Sequence, residues 1–157
     1  MAGKALNFDT GVVEYKLNGA ATVRFNPTDS DFANRFYDTL ADLEGQQDSL
    51  RDAASSLDST RDYFEFFKER DAEMRKAVDG LLGEGVADAV FAGMNCYALA
   101  DGLPVWMNLM FAIADEIGEA MGAEQQKTDP RIKSYNKKYA ELVAKYKPKT
   151  PSRQARK

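Results

Sequence analysis

The side chains that most often carry catalysis are scarce in this sequence. Its 157 residues include no histidine and a single cysteine, Cys96. Histidine is the usual proton carrier near neutral pH and the commonest metal ligand, so its absence excludes Ser-His and Cys-His nucleophile pairs and histidine-containing zinc sites. One cysteine cannot form a cysteine-only zinc site. We do not expect Cys96 to be a catalytic thiol, because no histidine can activate it.

Carboxylate chemistry remains open, but the acidic side chains do not suggest a catalytic pair. Neighbouring acids such as Asp115 and Glu116, or Asp42 and Glu44, fall on charged helix faces, where solvation explains them. The sequence has no glycine-rich phosphate loop of the P-loop or dinucleotide type. We therefore predict that the chain is not an enzyme and that it uses no cofactor and no metal.

A further group of polar residues lies in the segment FAGMNCYALADGLP, residues 91–104. Asn95 and Asp101 could contact a ligand there. We favour a structural interpretation, in which the segment is a corner between two helices and Asp101 helps to cap the second helix.

The composition indicates one folded domain that is neither exported nor inserted in a membrane. Hydrophobic residues make up 44% of the chain and aromatic residues 11%, which is enough to build a core. No stretch of about 18 apolar residues could span a bilayer, and the first residues lack a secretory apolar segment. A single cysteine suits a reducing compartment, so we expect a cytoplasmic protein.

The charge is divided unequally along the chain. Residues 127–157 carry 11 basic and two acidic side chains, a net charge of +9, whereas residues 1–126 have a net charge of −13. This asymmetry predicts an acidic body, residues 1–126, followed by a basic helix of the same domain, residues 127–147, and a disordered basic tail, residues 148–157.

The periodicity of the body predicts a mainly α (α+β) fold, an N-terminal β-hairpin packed on a bundle of about five helices. Residues 12–25 alternate apolar and polar side chains around Asn18-Gly19, the strongest short signal for a hairpin turn. A first helix, capped by a residue at positions 28–30, runs to about Leu57. Further helices are predicted over residues 61–82, 86–93, 105–121 and 131–147.

Two apolar stripes are candidate protein-binding surfaces. The first consists of Phe36, Leu43, Leu50 and Leu57, which recur every seven residues, with Leu40, Gln47 and Ala54 between them. Such a heptad pattern indicates a helix that lies along a partner helix. The partner could belong to a second subunit, but we favour a helix of the same chain, which needs only a short loop.

The second stripe consists of Trp106, Met107, Met110 and Phe111. Methionine adapts its shape and tryptophan gives a large contact area, so the stripe could bind a protein. The favoured alternative is that these side chains form the core of the domain, and a dimer interface could serve both purposes.

The basic C-terminal segment has three interpretations. Its lysines, Lys133, Lys137, Lys138, Lys145 and Lys147, could contact an acidic protein surface, or the segment could simply be a solvated tail. Interleaved tyrosines also suit nucleic acid, but the acidic body would repel phosphates, so this third interpretation is disfavoured.

Three segments resemble a family of small phage and prophage proteins that are similar to the tail assembly chaperones of long-tailed phages. They are VRFNPTDSDF at residues 23–32, EMRKAVD at residues 73–79 and MNCYALADGLPVWMNLM at residues 94–110. The resemblance covers about residues 10–147, and its motifs carry no catalytic residues.

The resemblance implies a helical protein made in the cytoplasm of an infected bacterium. Chaperones of this class hold tail proteins, especially the helical tape measure protein, until the tail tube polymerises, and they are generally absent from the virion. A homodimer is compatible with this role. The alternatives are a structural virion or connector protein and a nucleic-acid-binding regulator that uses the basic segment.

Overall fold

The structure is a computed structural model that describes residues 3–127, 134, 137–138, 140–142 and 144–145. Over these residues the protein is mainly helical with a small amount of β-structure, which confirms the predicted fold class. In chain order, the elements are β1 (Val13–Leu17), β2 (Ala21–Phe25), α1 (Ser30–Ser55), α2 (Thr60–Lys68), α3 (Asp71–Leu82), α4 (Val86–Phe91), β3 (Leu99–Ala100), β4 (Leu103–Pro104) and α5 (Val105–Gln126).

The predicted hairpin is confirmed, and its turn lies where the sequence places it. Strands β1 and β2 pair antiparallel, with Leu17 opposite Ala21. Asn18 and Gly19 have φ angles of 52° and 70°, the positive values that a type I′ turn requires at both central positions. The Ala20 N–H donates to the Leu17 carbonyl at 2.9 Å and closes the turn.

Aromatic rings join this hairpin to the helices. Tyr15 stacks on Phe25 with ring centroids 4.7 Å apart, and Phe25 stacks on Phe32 of α1 at 4.1 Å. The Tyr15 hydroxyl also donates to the Glu116 carboxylate of α5 at 2.8 Å. Burial and the neighbouring carboxylate raise the pKa of Tyr15 to about 12, so the hydroxyl can still donate at pH values where a free tyrosine ionises. The helices thus support a hairpin that would be marginal alone.

Helix α1 begins at the predicted cap but ends two residues early. The Asp29 carboxylate caps its first turn. At the other end, Ser56 donates both its N–H and its hydroxyl to the Ala53 carbonyl, at 3.4 and 2.8 Å, and such local bonds compete with continued helix. Leu57 therefore lies in the turn before α2 and not on α1.

The single helix predicted over residues 61–82 is wrong, because the chain forms α2 and α3 with a break between them. Side chains bind the carbonyls at the end of α2. The Arg70 guanidinium donates to the Phe66 carbonyl at 2.7 Å, and the Asn95 amide donates to the Phe67 carbonyl at 3.0 Å. With these carbonyls satisfied, the helix can end without a glycine or a proline.

The predicted capping role of Asp101 is also wrong. Asp101 and Gly102, with φ angles of 54° and 76°, form the turn between β3 and β4, and α5 starts only at Val105. The N-terminal N–H groups of α5 find main-chain acceptors instead, as the bond from Trp106 N–H to the Cys96 carbonyl, 3.1 Å long, illustrates.

The core is built mainly from α1, α3 and α5. Helix α5 contributes Trp106, Met107, Met110, Ile113 and Ile117, all of them buried. Trp106 and Met110 are fully buried, together with Phe36 of α1 and Val78 of α3. These large side chains form one continuous cluster, which holds the acidic body together.

The chain divides into two compact units, residues 1–122 and 123–157. In the second unit, residues 134, 137–138, 140–142 and 144–145 are helical, within the helix predicted over 131–147. The predicted tail, residues 148–157, lies outside the described residues, and its disorder stays a prediction. So does the assignment of the basic helix to the same domain as the body. Among the described residues, no helix is both long and apolar enough for a membrane span.

Candidate protein-binding groove

An apolar cavity of about 700 Å³ opens between α2 and the segment that leads into β3. We call it the aromatic groove. Its lining residues are Thr60, Tyr63, Phe64, Phe67, Lys68, Asn95, Tyr97, Ala98 and Leu99. Phe64 and Leu99 are 64% and 63% exposed, whereas Phe67 and Tyr97 are buried. The groove therefore has an apolar floor and apolar side chains that are open to solvent.

Aromatic contacts build the floor. The Phe67 ring lies 4.9 Å from the Tyr63 ring and 4.8 Å from the Tyr97 ring, measured between centroids. Tilted rings at such distances stabilise each other by more than the burial of their apolar area alone would provide. Tyr97 comes from a segment 30 residues further along the chain than Phe67, so the floor forms only in the folded protein.

Asn95 fixes the two walls of the groove relative to each other. Its amide nitrogen donates to the Phe67 carbonyl at 3.0 Å, and its amide oxygen accepts the Tyr97 N–H at 2.8 Å. Both polar ends of the amide are thus used within the protein. This outcome supports the structural interpretation of Asn95 over a role as a ligand contact.

The groove suits apolar binding rather than proton transfer. Its ionisable lining groups are the Lys68 amine and the phenols of Tyr63 and Tyr97. Burial raises the pKa of Tyr97 to about 12, which makes this phenol a poor proton donor near pH 7. In the described part of the chain, no three acidic or cysteine side chains converge as a metal ion would require.

A polar cluster supports the loop behind the groove. The Arg75 guanidinium donates to the carboxylates of Asp71 and Asp88 at 2.8 and 2.9 Å, and to the carbonyls of Ala92 and Met94 at 2.8 and 2.6 Å. The Asp71 carboxylate in turn accepts the Cys96 N–H at 2.7 Å. This Asp71–Arg75 cluster was not predicted from the sequence, because its bonds join α3 to a loop about 20 residues away.

We expect Cys96 to react with thiol reagents only when the protein unfolds. Burial raises the pKa of the Cys96 thiol to about 12, and the hydrogen bond to Asp71 and the charge of that carboxylate add to the effect. The thiolate is the reactive form, and at pH 8 its fraction is roughly one in ten thousand. Ellman's reagent should react at least about 100-fold more slowly with native protein than with protein in guanidinium. Equal rates would contradict the buried position.

A comparison with known protein families bears on most of the chain. One family model matches residues 18–157, which include every residue of the aromatic groove and of the Asp71–Arg75 cluster. The chain belongs to this family, DUF6673, a family of unknown function. No curated protein and no solved structure matches this chain.

The heptad stripe of this DUF6673 chain faces its own helices. Phe36 and Leu43 are buried, and Leu50 and Leu57 pack half-buried against the core cluster. Helix α1 contacts α3 of the same chain. The stripe thus packs against a helix of the same chain, which is the alternative that the sequence favours. It is therefore not an open binding surface in the structure.

The second stripe also lies mostly inside the fold of this chain. Trp106 and Met110 are fully buried and Met107 is nearly so, as the core interpretation predicts. Phe111 is 37% exposed, but it does not line the aromatic groove. The stripe therefore does not form the exposed patch that protein binding would need.

The structure describes three of the five candidate lysines of the basic segment. Lys137, Lys138 and Lys145 are helical and exposed, whereas Lys133 and Lys147 lie outside the described residues. Exposure suits both a protein contact and a solvated surface, so their role stays a prediction.

Proposed function

We propose that this chain is a phage tail assembly chaperone that binds a tail protein, above all the tape measure protein, and catalyses no covalent change. The observation that carries the proposal is the aromatic groove, in which Phe64 and Leu99 remain largely exposed above a buried aromatic floor. The resemblance of the sequence to tail assembly chaperones supplies the class of client.

A helical client suits the groove physically. Amphipathic helices dock by placing apolar side chains, spaced three or four residues apart, into an apolar groove. Each client side chain of the size of leucine that becomes buried contributes roughly 1.5–3 kcal/mol. The ordering of client and groove offsets part of this gain, so the affinity depends on a few well-buried anchors.

Charges beside the groove keep the bound client in solution. Helix α2 carries exposed Arg61, Asp62 and Glu65 next to its aromatic residues in sequence, and Lys68 lines the groove itself. A bound apolar helix would therefore be bordered by charged groups, which disfavour aggregation of the complex. The proposal places this interaction in the cytoplasm of the host cell, before the tail tube polymerises.

The test is co-expression with the tape measure protein, with a charge placed in the groove. The wild-type chain should keep the tape measure protein soluble and co-purify with it. Phe64→Glu should reduce the retained client at least about tenfold, because it replaces an apolar contact by a carboxylate that loses water on client binding, and pairing with Lys68, one turn further along α2, offsets only part of that cost. Phe64 is 64% exposed, so this variant should melt within a few degrees of the wild type.

The matched control is Tyr37→Glu, which adds the same charge at a ring of α1 that is 46% exposed and does not line the groove. This variant should retain the client. The proposal fails if the wild-type chain does not associate with the tape measure protein. It also fails if mass spectrometry finds the chain at stoichiometric amounts in purified virions, since that result indicates a structural component. Equal retention by Phe64→Glu and Tyr37→Glu would remove the groove as the client site.

A further inference from the structure

The outer edge of β1 is a strand edge that has no partner strand in this chain. Among the described residues, β1 pairs with β2 alone, whereas β2 also contacts α4. No hydrogen bond from another described segment reaches the main chain of residues 13–16. In a pair of antiparallel strands, alternate residues of each strand turn their N–H and C=O groups away from the other strand. On β1 these groups can therefore pair with a strand of another chain.

The solvent face of this strand carries one acidic and one basic side chain. Glu14 and Lys16 are both exposed there. Tyr15, between them, turns to the other face, where its hydroxyl donates to Glu116 of α5. The Glu14 carboxylate accepts a hydrogen bond from Arg24 of β2 at 3.0 Å, whereas Lys16 forms no ion pair with any carboxylate that the structure describes. The strand edge thus has a cation that is free to pair with an acidic side chain of another chain.

The residues of β1, VEYKL, are complementary to themselves in one antiparallel register. With Tyr15 at the centre of a two-fold symmetric pair, Glu14 faces Lys16 of the second copy, and the symmetry forms this ion pair twice. In the same register Val13 faces Leu17, so the flanking pairs are apolar. Centring the pair on Glu14 or on Lys16 instead places like charges directly opposite each other, which destabilises strand pairing. The strand therefore matches a second copy of itself, and in one register.

The same side chains disfavour other partner strands. A lysine on an edge strand normally discourages pairing, because its charge would be placed against a neutral strand. Opposite Glu14 of a second copy, the charge of Lys16 is matched, so this side chain admits one partner and discourages others. Val13 is 41% exposed in the single chain, and Leu17 of the second copy would cover it. With only five residues from each strand, the contact is small, and we expect it to be reversible.

We propose that two copies of this chain associate through β1, edge to edge and antiparallel with Tyr15 at the centre, so that their two hairpins form one continuous sheet. Two features identify the partner as a second copy: the unpaired edge of β1 and the match of Glu14 with Lys16 across the two-fold axis. Strand β1 contributes no residue to the aromatic groove, so this association requires no client. It goes beyond the proposed function and can be tested separately from it.

The test measures self-association of the full chain by analytical ultracentrifugation, with no client present. The wild type should dimerise as its concentration rises to about 200 µM. Lys16→Glu leaves two acidic residues on each strand and Glu14→Lys leaves two basic ones, so each variant should weaken its own association at least about tenfold. Lys76→Glu and Glu73→Lys make the same charge changes at exposed residues of α3, and as matched controls they should dimerise like the wild type.

Mixing the two variants tests the charge pairing itself. Each acidic residue of the Lys16→Glu strand then faces a basic residue of the Glu14→Lys strand, so the mixture should form a heterodimer although neither variant dimerises alone. A monomeric wild type, variants that dimerise as well as the wild type, or a mixture without heterodimer would overturn the proposal.

Hydrogen exchange of the wild type gives a second measurement that needs no variant. Exchange within residues 13–17 should slow as the concentration rises, because the outward N–H groups of β1 become bonded in the dimer. A dimer in which exchange at residues 13–17 does not change would use another surface and would also overturn the proposal. None of these results depends on the tape measure protein.

Discussion

Replacing Trp106 by alanine is expected to destabilise the protein by about 3–5 kcal/mol, enough to unfold much of a marginally stable domain. The indole is fully buried in the core cluster, where Met110 of α5 and Phe36 of α1 are also fully buried. Removal of the ring loses its transfer free energy from water to the core. It also leaves a cavity, which the surrounding helices can fill only in part by shifting. Urea unfolding followed by circular dichroism measures the loss.

Trp106→Phe provides the control for this prediction. Among the described residues, the indole N–H has no hydrogen-bond acceptor, so phenylalanine removes an unpaired polar group as well as some volume. We expect a loss of less than about half that of the alanine variant. An alanine variant within about 1 kcal/mol of the wild type would show that Trp106 does not hold the core together.

The second large effect is expected at Arg75. Its side chain is 15% exposed and donates to two carboxylates and two carbonyls. Arg75→Ala leaves the partly buried Asp71 carboxylate without this donor, whereas water can replace the guanidinium at the exposed Asp88, Ala92 and Met94, so we expect a loss of about 1–3 kcal/mol in the free energy of unfolding. Hydrogen exchange should rise most at residues 92–97, because the loop that carries Tyr97 loses its support. Lys76→Ala, at the next position, is the matched control and should change stability by less than about 0.5 kcal/mol.

The same cluster predicts how stability depends on pH. Burial alone would raise the pKa of Asp71, but the hydrogen bonds from Cys96 and Arg75 outweigh it and hold the pKa below 3.8. The stability that the charged carboxylate contributes is therefore present above pH 3.8 and is lost as the pH falls through the lower, folded pKa. The stability difference between wild type and Asp71→Asn should shrink over that range. A difference that stays constant down to about pH 2 would show that Asp71 is not stabilised as a carboxylate.

The sequence predicts the elements whose signals are local. Asn18 and Gly19 specify a hairpin turn by their own conformational preferences, and Asp29 caps α1 through its own side chain. Three expectations differ from the structure: the end of α1 near Leu57, the unbroken helix over residues 61–82 and the cap at Asp101. The first and the third have local causes, the bonds of Ser56 and the turn at Asp101 and Gly102, whereas the break after α2 depends in part on a distant segment. No local pattern reveals that Asn95 will bind the carbonyl of Phe67, 28 residues earlier.

The sequence does not predict the aromatic groove either, because its floor brings together Phe67 and Tyr97, which are 30 residues apart. The most apolar stripe, around Trp106, suggests a binding surface, but strong apolarity on all sides is typical of a core helix. A signal for the groove does exist. Residues 63–67 place four aromatic side chains around little more than one helical turn, which is too wide for a single buried face. Such an arc indicates that a residue at one of its edges, Phe64 or Phe66, stays outside, and in the structure it is Phe64.

The position of the single tryptophan has a practical consequence. Trp106 is fully buried and does not line the groove, so its fluorescence reports on the integrity of the core and not on occupancy of the groove. If the emission maximum of Trp106 stays at short wavelength during a titration, the core has remained folded after each addition. Occupancy would then be read from a dye on the added component, or from the rise in melting temperature that any ligand specific for the native state produces.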